Sequence, residues 1–253
     1  MVRTSSRPRK LTARSAILSA LLGAHPPQAT VGGILAVAAE LGLQESAVRV
    51  ALTRMVASSD LERSDGVYRL SDRLVERQRR QDAAVAPRTR HWIGQWRLAV
   101  VTVGADDSTD RAAMRESLRA ARFGELREGV WARPDNLDVD LSPRMRERVA
   151  LFTALPEERS IELAERLFSP SVWASRATEL VAAYDPEAPM AARFELAAAS
   201  VRHLLDDPLL PEDLLPVPWP GAPLRAIYER FRVEFQAFAE PLMSEHGDIP
   251  TSR

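Results

Sequence analysis

The chain has 253 residues, 45% hydrophobic and 27% charged, with a net charge of −1 and no cysteine. That is globular composition, long enough for one large domain or roughly two to three small ones, and it excludes disulfides, thiolate metal sites and cysteine nucleophiles. No apolar run is long enough to cross a bilayer and the basic start MVRTSSRPRK leads into no apolar signal core, so a soluble cytoplasmic protein is expected.

The four histidines, His25, His91, His203 and His246, lie far apart, with no two at zinc-ligand spacing. Lys10 is the only lysine among 34 basic residues. The near-neutral total hides an asymmetry. Residues 1–90 hold 15 basic and 8 acidic side chains, and residues 91–253 hold 19 and 27. A basic first third on an acidic remainder points to an N-terminal domain that meets a polyanion.

Residues 1–10 read as a disordered basic arm. Thr12 is placed to cap a first helix to Leu22, with Ile17, Leu18, Leu21 and Leu22 inward. GAHPPQ stops it. Thr30 caps a second helix, Val31 to Leu41, which Gly42 ends. After a tight turn, LQESAVRVALTRMVASS reads as one amphipathic helix. Val48, Leu52, Met55 and Val56 recur at helical spacing, and the opposite face carries Ser46, Arg49, Val50, Thr53 and Arg54. Leu61–Ser64 and Val67–Leu70 flank Asp65-Gly66, a strong two-residue hairpin signal. A helical hairpin inside a core gives part of this pattern. A helix before it, a basic hairpin directly after it and the local charge together favour a winged helix-turn-helix. Its DNA-binding residues are then Ser46, Arg49, Val50, Thr53 and Arg54 on the helix and Arg63 and Arg69 on the wing. Ser71 caps a further helix, Asp72 to about Ala84, whose arginines Arg73, Arg77, Arg79 and Arg80 read as a solvated linker face.

From residue 88 the pattern changes. Trp96, Leu98–Val101 and Val103 form a near-continuous apolar strand. The polar loop ADDSTD and a helix, Arg111 to Arg122, follow, and strands are expected around Val130-Trp131 and at Val149–Thr153. Strand, helix, strand, connection and strand fit a small ferredoxin-like α/β sandwich over 88–158. From 159 the chain reads as a helical domain, interrupted by the proline-dense DPLLPEDLLPVPWPGAP. A last helix from Leu224 carries an aromatic stripe, Ile227, Tyr228, Phe231, Phe235 and Phe238, which reads as core or dimer interface ahead of a ligand box. The fold class is therefore α+β and mainly helical: winged helix-turn-helix (11–87), central ferredoxin-like domain (88–158) and C-terminal helical domain (159–253).

Several of these segments together resemble the PaaX-type transcriptional repressors, regulators of phenylacetic acid degradation. LTARSAILSALLG and LGLQESAVRVALTRMVASSDLERSDGVYRLS match the winged domain. WRLAVV and LRAARFGELREGVWARP match the central one, and HLLDDPLLPEDLLPVPWPGAPLRAIYERF is the C-terminal signature. The resemblance covers nearly the whole chain, with residues 135–180 matching only loosely. It implies a bacterial homodimer that represses a catabolic operon from a palindromic operator on double-stranded DNA. It also implies a small-molecule effector, in the best-known members an acyl-CoA thioester of an aromatic acid, that releases the DNA. No catalytic residue, metal or cofactor is expected. Two other readings remain open. One is a magnesium-dependent nuclease built on the ferredoxin-like domain with Asp106 and Asp107 as ligands. The other is a winged domain used for protein interaction.

Overall fold

A computed structural model describes residues 12–23, 26–138 and 141–245. The expected arm at 1–10 lies outside the described residues. The chain divides into two compact units, neither of them one continuous stretch. The first takes the segment up to Ala86 with Ala177–Asp206 and the chain from Pro220. The second takes Pro87–Arg176 and Asp207–Trp219. No described helix is long and apolar enough to cross a membrane.

In the first unit, α1 (Ala13–Gly23) opens with a reciprocal cap. Ser15 N–H donates to Thr12 Oγ1 at 3.2 Å and Thr12 N–H donates to Ser15 Oγ at 2.9 Å. A short strand, β1 (Gln28–Thr30), precedes α2 (Val31–Glu40), and Thr30 Oγ1 caps α2 by accepting from Gly33 N–H. Gly42, at φ +73°, ends α2. The Gly42 and Leu43 N–H groups bond back to the carbonyls of Ala39 and Ala38, both at 2.9 Å, a Schellman closure that turns the chain into α3 (Glu45–Ala57). The wing is β2 (Leu61–Ser64) and β3 (Val67–Leu70), in the expected places. Asp65 and Gly66 take φ of 50° and 77°, the positive pair that a two-residue hairpin turn requires. β1 joins the other edge of β3, giving a three-stranded antiparallel sheet.

One core holds these elements. Ile17, Leu18, Leu21 and Leu22 of α1 meet Val48, Leu52 and Met55 of α3, with Leu61, Tyr68 and Leu70 closing it from the wing. α4 (Asp72–Val85) follows. Arg73, Arg77 and Arg79 are exposed, as read from the sequence, but the other side of the helix is buried and not solvated. Leu74, Gln78, Gln81 and Ala84 are all covered. Gln78 Nε2 donates to the Leu22 carbonyl (2.8 Å) and Gln81 Nε2 to Tyr228 Oη (2.5 Å). Ser71 stands at the N-cap of α4 without a side-chain cap bond. The later helices of this unit, α9 (Met190–Leu205) and α10 (Gly221–Glu245), pack on each other, with α10 also against α2 and α9 against α4. Phe194 meets Phe231 and Phe235 edge-on, centroids 5.9 and 5.3 Å apart, so Phe231 and Phe235, with the buried Tyr228, are core, while Ile227 and Phe238 of the stripe are half-buried.

The second unit is built on β4 (Trp96–Val101), α5 (Ser108–Ala120), β5 (Gly124–Arg127), β6 (Val130–Pro134), α6 (Pro143–Arg146) and β7 (Val149–Ala154). The all-antiparallel sheet has the order β5-β6-β4-β7, the ferredoxin-like arrangement expected. One face buries Ala99, Trp131 and Val149 against Met114 and Leu118 of α5. On the other, Trp96 and Ala132 lie beneath Leu163 and Ala164 of α7 (Ser160–Phe168) and Leu210 and Leu214 of the proline-dense segment. Gly124 is required here. A Cβ at this position would stand 2.9 Å from Leu167 Cβ. Arg133 is buried and donates Nη1 to the Ala121 carbonyl at 3.0 Å. Burial pulls its pKa down to about 10, so it remains charged at neutral pH. Between the units in sequence runs α8 (Pro170–Ala182).

Candidate nucleic-acid interface

The outward face of α3 follows from what its inward face buries. Val48, Leu52 and Met55 are each no more than 1% exposed, so the residues between them must point away from the core. Ser46, Arg49, Val50, Thr53 and Arg54 are all exposed, and Val50, a large apolar side chain, is 50% exposed. Ser46, Arg49, Val50 and Thr53 follow the three- and four-residue spacing of one helical stripe, with Arg54 beside it. The structure thus brings the five helix residues singled out in the sequence onto one surface.

Two local bonds organise that surface. Glu45 Oε1 accepts from Arg49 Nε at 2.7 Å, one turn apart, with both side chains more than half exposed. Thr53 Oγ1 donates to the Arg49 carbonyl at 3.0 Å, which leaves the methyl group as the part of Thr53 available for apolar contact. Glu45 escaped the sequence reading, although its four-residue spacing from Arg49 was a signal that could have found it.

The wing arginines are exposed on separate strands. Arg63 on β2 lies over the ring of its cross-strand neighbour Tyr68, 5.7 Å from the centroid. Arg69 on β3 donates Nε to Gln28 Oε1 of β1 at 2.8 Å.

A second cluster sits where α3 ends. Asp60 is 1% exposed and accepts from Arg14 Nη2 of α1 (2.5 Å), Ser58 Oγ (3.1 Å) and Arg73 of α4. The Arg14 hydrogen bond holds its carboxyl below the usual carboxylate range, against the opposing effect of burial. Two of the basic residues in this region therefore fix α1 and α4 to the end of α3.

The polar loop before α5 has its own account. Asp107 caps α5 by accepting from Asp110 N–H at 2.8 Å, and Asp110 accepts from Asp106 N–H at 3.1 Å. Asp110 is paired with Arg148 and Arg144, and the Arg148 hydrogen bond draws its pKa down to about 2. Helix capping thus occupies the Asp107 carboxylate and ion pairing that of Asp110. Among the described residues no three histidine, aspartate or glutamate side chains cluster to hold a metal ion.

Comparison with known proteins bears on all three regions. Residues 12–74 match the profile described as PaaX-like protein, residues 89–160 that of the PaaX protein central Cas2-like domain, and residues 162–245 that of the PaaX-like protein C-terminal domain. The transcriptional repressor PaaX of Escherichia coli (strain K12) is 27% identical over 257 residues, covering 87% of this chain and 80% of that protein. Among solved structures, the uncharacterized protein Rv0674 from Mycobacterium tuberculosis superposes with a TM-score of 0.77 at 49% identity, covering 91% of this chain and 98% of that one.

Proposed function

The chain belongs to the PaaX-like family, and from that premise we propose that it is a DNA-binding transcriptional repressor whose α3 reads the major groove. The observation that carries this is the exposed stripe of α3 beside a wing that bears Arg63 and Arg69. Arg49 supplies a bidentate contact to guanine and Thr53 an apolar contact to a thymine methyl. Arg54 and the wing arginines hold phosphates, and Ser46 and Val50 touch backbone or base edges. The α3 N-terminus adds N–H groups and a favourable dipole for phosphate.

The protein acts as a homodimer on a palindromic operator of a catabolic operon, with half-sites about 34–36 Å apart or a multiple of that. A small-molecule effector, an acyl-CoA thioester by resemblance to the family, releases it. The packing of α10 on α2 supports such control, because a ligand that moves α10 bears directly on the helix-turn-helix. The test is a mobility shift on DNA upstream of the protein's own gene, titrated with acyl-CoA thioesters and with the free acids. Release by a thioester and not by its acid is the expected result. A shift that none of them reverses removes the effector from the proposal, and the absence of any shift removes the repressor.

A further inference from the structure

The central sheet is open along one strand. β7 is one of its two edges, β5 being the other, and is bonded on one side to β4. Thr102 N–H donates to the Arg148 carbonyl at 2.9 Å, and the register continues with Val100 opposite Ala150 and Leu98 opposite Phe152. Antiparallel pairs alternate between bonded and non-bonded positions. The backbones of Ala150 and Phe152 therefore turn toward β4, and those of Val149, Leu151 and Thr153 turn outward.

Exposed edge strands are normally guarded by charge, proline or a bulge, because an unguarded edge pairs with another chain. β7 reads VALFTA and has no charge and no proline. Its register against β4 is unbroken. Phe152 is 52% exposed on it, and Leu155, just beyond its end, is 72% exposed. On the sheet face that carries Phe152, Trp96 and Leu98 already pack beneath α7 and the proline-dense segment, and the half-buried positions nearer the edge, Val100, Ala150 and Ala154, carry no charge. An uncharged edge with Phe152 exposed on it is one that pairing with another strand would cover.

We propose that β7 is covered by β7 of a second copy, antiparallel about a two-fold axis at Leu151, so that the two four-stranded sheets join edge to edge. The inference rests on the homodimeric reading above and names the surface that makes the dimer. The strand is complementary to itself in this register. The outward backbones of Val149 and Thr153 meet those of Thr153 and Val149 of the partner subunit. Phe152 stands directly across from Ala150 of the partner subunit, bulky against small, and symmetry makes that contact twice.

The experiment uses the full chain in sedimentation and in cross-linking. Phe152→Lys puts a charge at the contact. Thr153→Pro removes an outward N–H that β4 does not use. Each should raise the dimer dissociation constant about 30-fold or more while leaving the circular dichroism unchanged. Because the protein has no cysteine, the double variant Ala150→Cys/Phe152→Cys offers a clean register test. Directly opposed non-bonded positions lie about 4.5 Å apart between Cα atoms, within disulfide reach. Oxidation should give a covalent dimer that a reductant reverses, and Phe152→Cys alone should not. A wild type that dimerises and binds DNA, with variants equally dimeric or a cysteine pair that does not link, overturns this interface and leaves the functional reading standing. A wild type that sediments only as monomer overturns the interface and the homodimer together.

Discussion

Glu45 and Arg49 face each other one turn apart on α3, Oε1 to Nε at 2.7 Å. The pair presets the arginine that the proposed function sends to a base edge, and it places a carboxylate where DNA brings phosphates. Glu45→Gln removes the repulsion and releases the guanidinium. Operator affinity should rise roughly three- to tenfold at low salt, and the gain should shrink as salt increases. Fluorescence anisotropy at two salt concentrations checks it. Equal or weaker binding by the variant would place Glu45 outside the contact surface.

Arg49 and the wing arginines should fail differently. Arg49→Ala should cost about 1–3 kcal/mol at the operator and relax preference at one base position, because a bidentate contact to guanine is lost. Arg63→Ala or Arg69→Ala should weaken operator and unrelated DNA alike. A competition assay over single-base operator variants separates the two patterns. An Arg49→Ala protein with unaltered preference would contradict the groove assignment.

Much of this surface was legible in the sequence. Val48, Leu52 and Met55 fixed the buried face of α3 by periodicity alone, and Asp65-Gly66 fixed the wing. In the central domain β4, the helix after it, β6 and β7 showed in the change from helical to strand-like spacing, while β5 and α6, four residues each, are too short to show a period; the family showed in the RFGELREGVWARP and LPEDLLPVPWPGA segments. Other elements left no signal of that kind. β1 is three residues after a Pro-Pro pair, too short to alternate, and its pairing to β3 is a long-range event. α4 read as solvated because two of its buried positions are glutamines, and partners far away in sequence, the Leu22 carbonyl 56 residues off and the Tyr228 hydroxyl 147 residues off, accept from them. The grip of Arg14 and Arg73 on Asp60 likewise joins residues 46 and 13 positions apart.

That grip sets an acid limit on the winged segment. The folded-state pKa of Asp60 is depressed below its ordinary 3.8. Its contribution is therefore present above that value and is lost as pH falls below it. Asp60→Asn should destabilise the protein at pH 7 by about 1–3 kcal/mol, the scale of a buried charge-assisted hydrogen bond. The difference from wild type should close as pH drops below 3.8. Chemical denaturation across pH 2.5–7 (roughly the span over which a carboxylate titrates) measures it, and a pH-independent difference would show that the charge is not what matters.

Tyr228 sets the corresponding alkaline limit. Burial pushes its hydroxyl up to about 12 from an ordinary 10. The folded state therefore holds the neutral form, and its contribution is intact below pH 10 and is lost between 10 and 12. Tyr228→Phe should cost about 1–3 kcal/mol at neutral pH by leaving the buried Gln81 amide unpaired. It should also abolish that alkaline phase. Denaturant midpoints from pH 8 to about 11.5 check both, and an unchanged alkaline phase would assign it to another group.

The central claim is that α3 and the wing bind DNA through phosphates and that Arg49 reads sequence. The most direct measurement is the slope of log affinity against log salt for wild type and Arg49→Ala, on DNA from upstream of the protein's own gene and on unrelated DNA. Each phosphate neutralised contributes a slope of about −0.9. The expected result is a steep negative line for wild type on both DNAs, with an operator preference that Arg49→Ala largely abolishes while the slope changes by about one contact or less. A flat line, or a preference for its own upstream DNA that survives Arg49→Ala intact, would contradict the account.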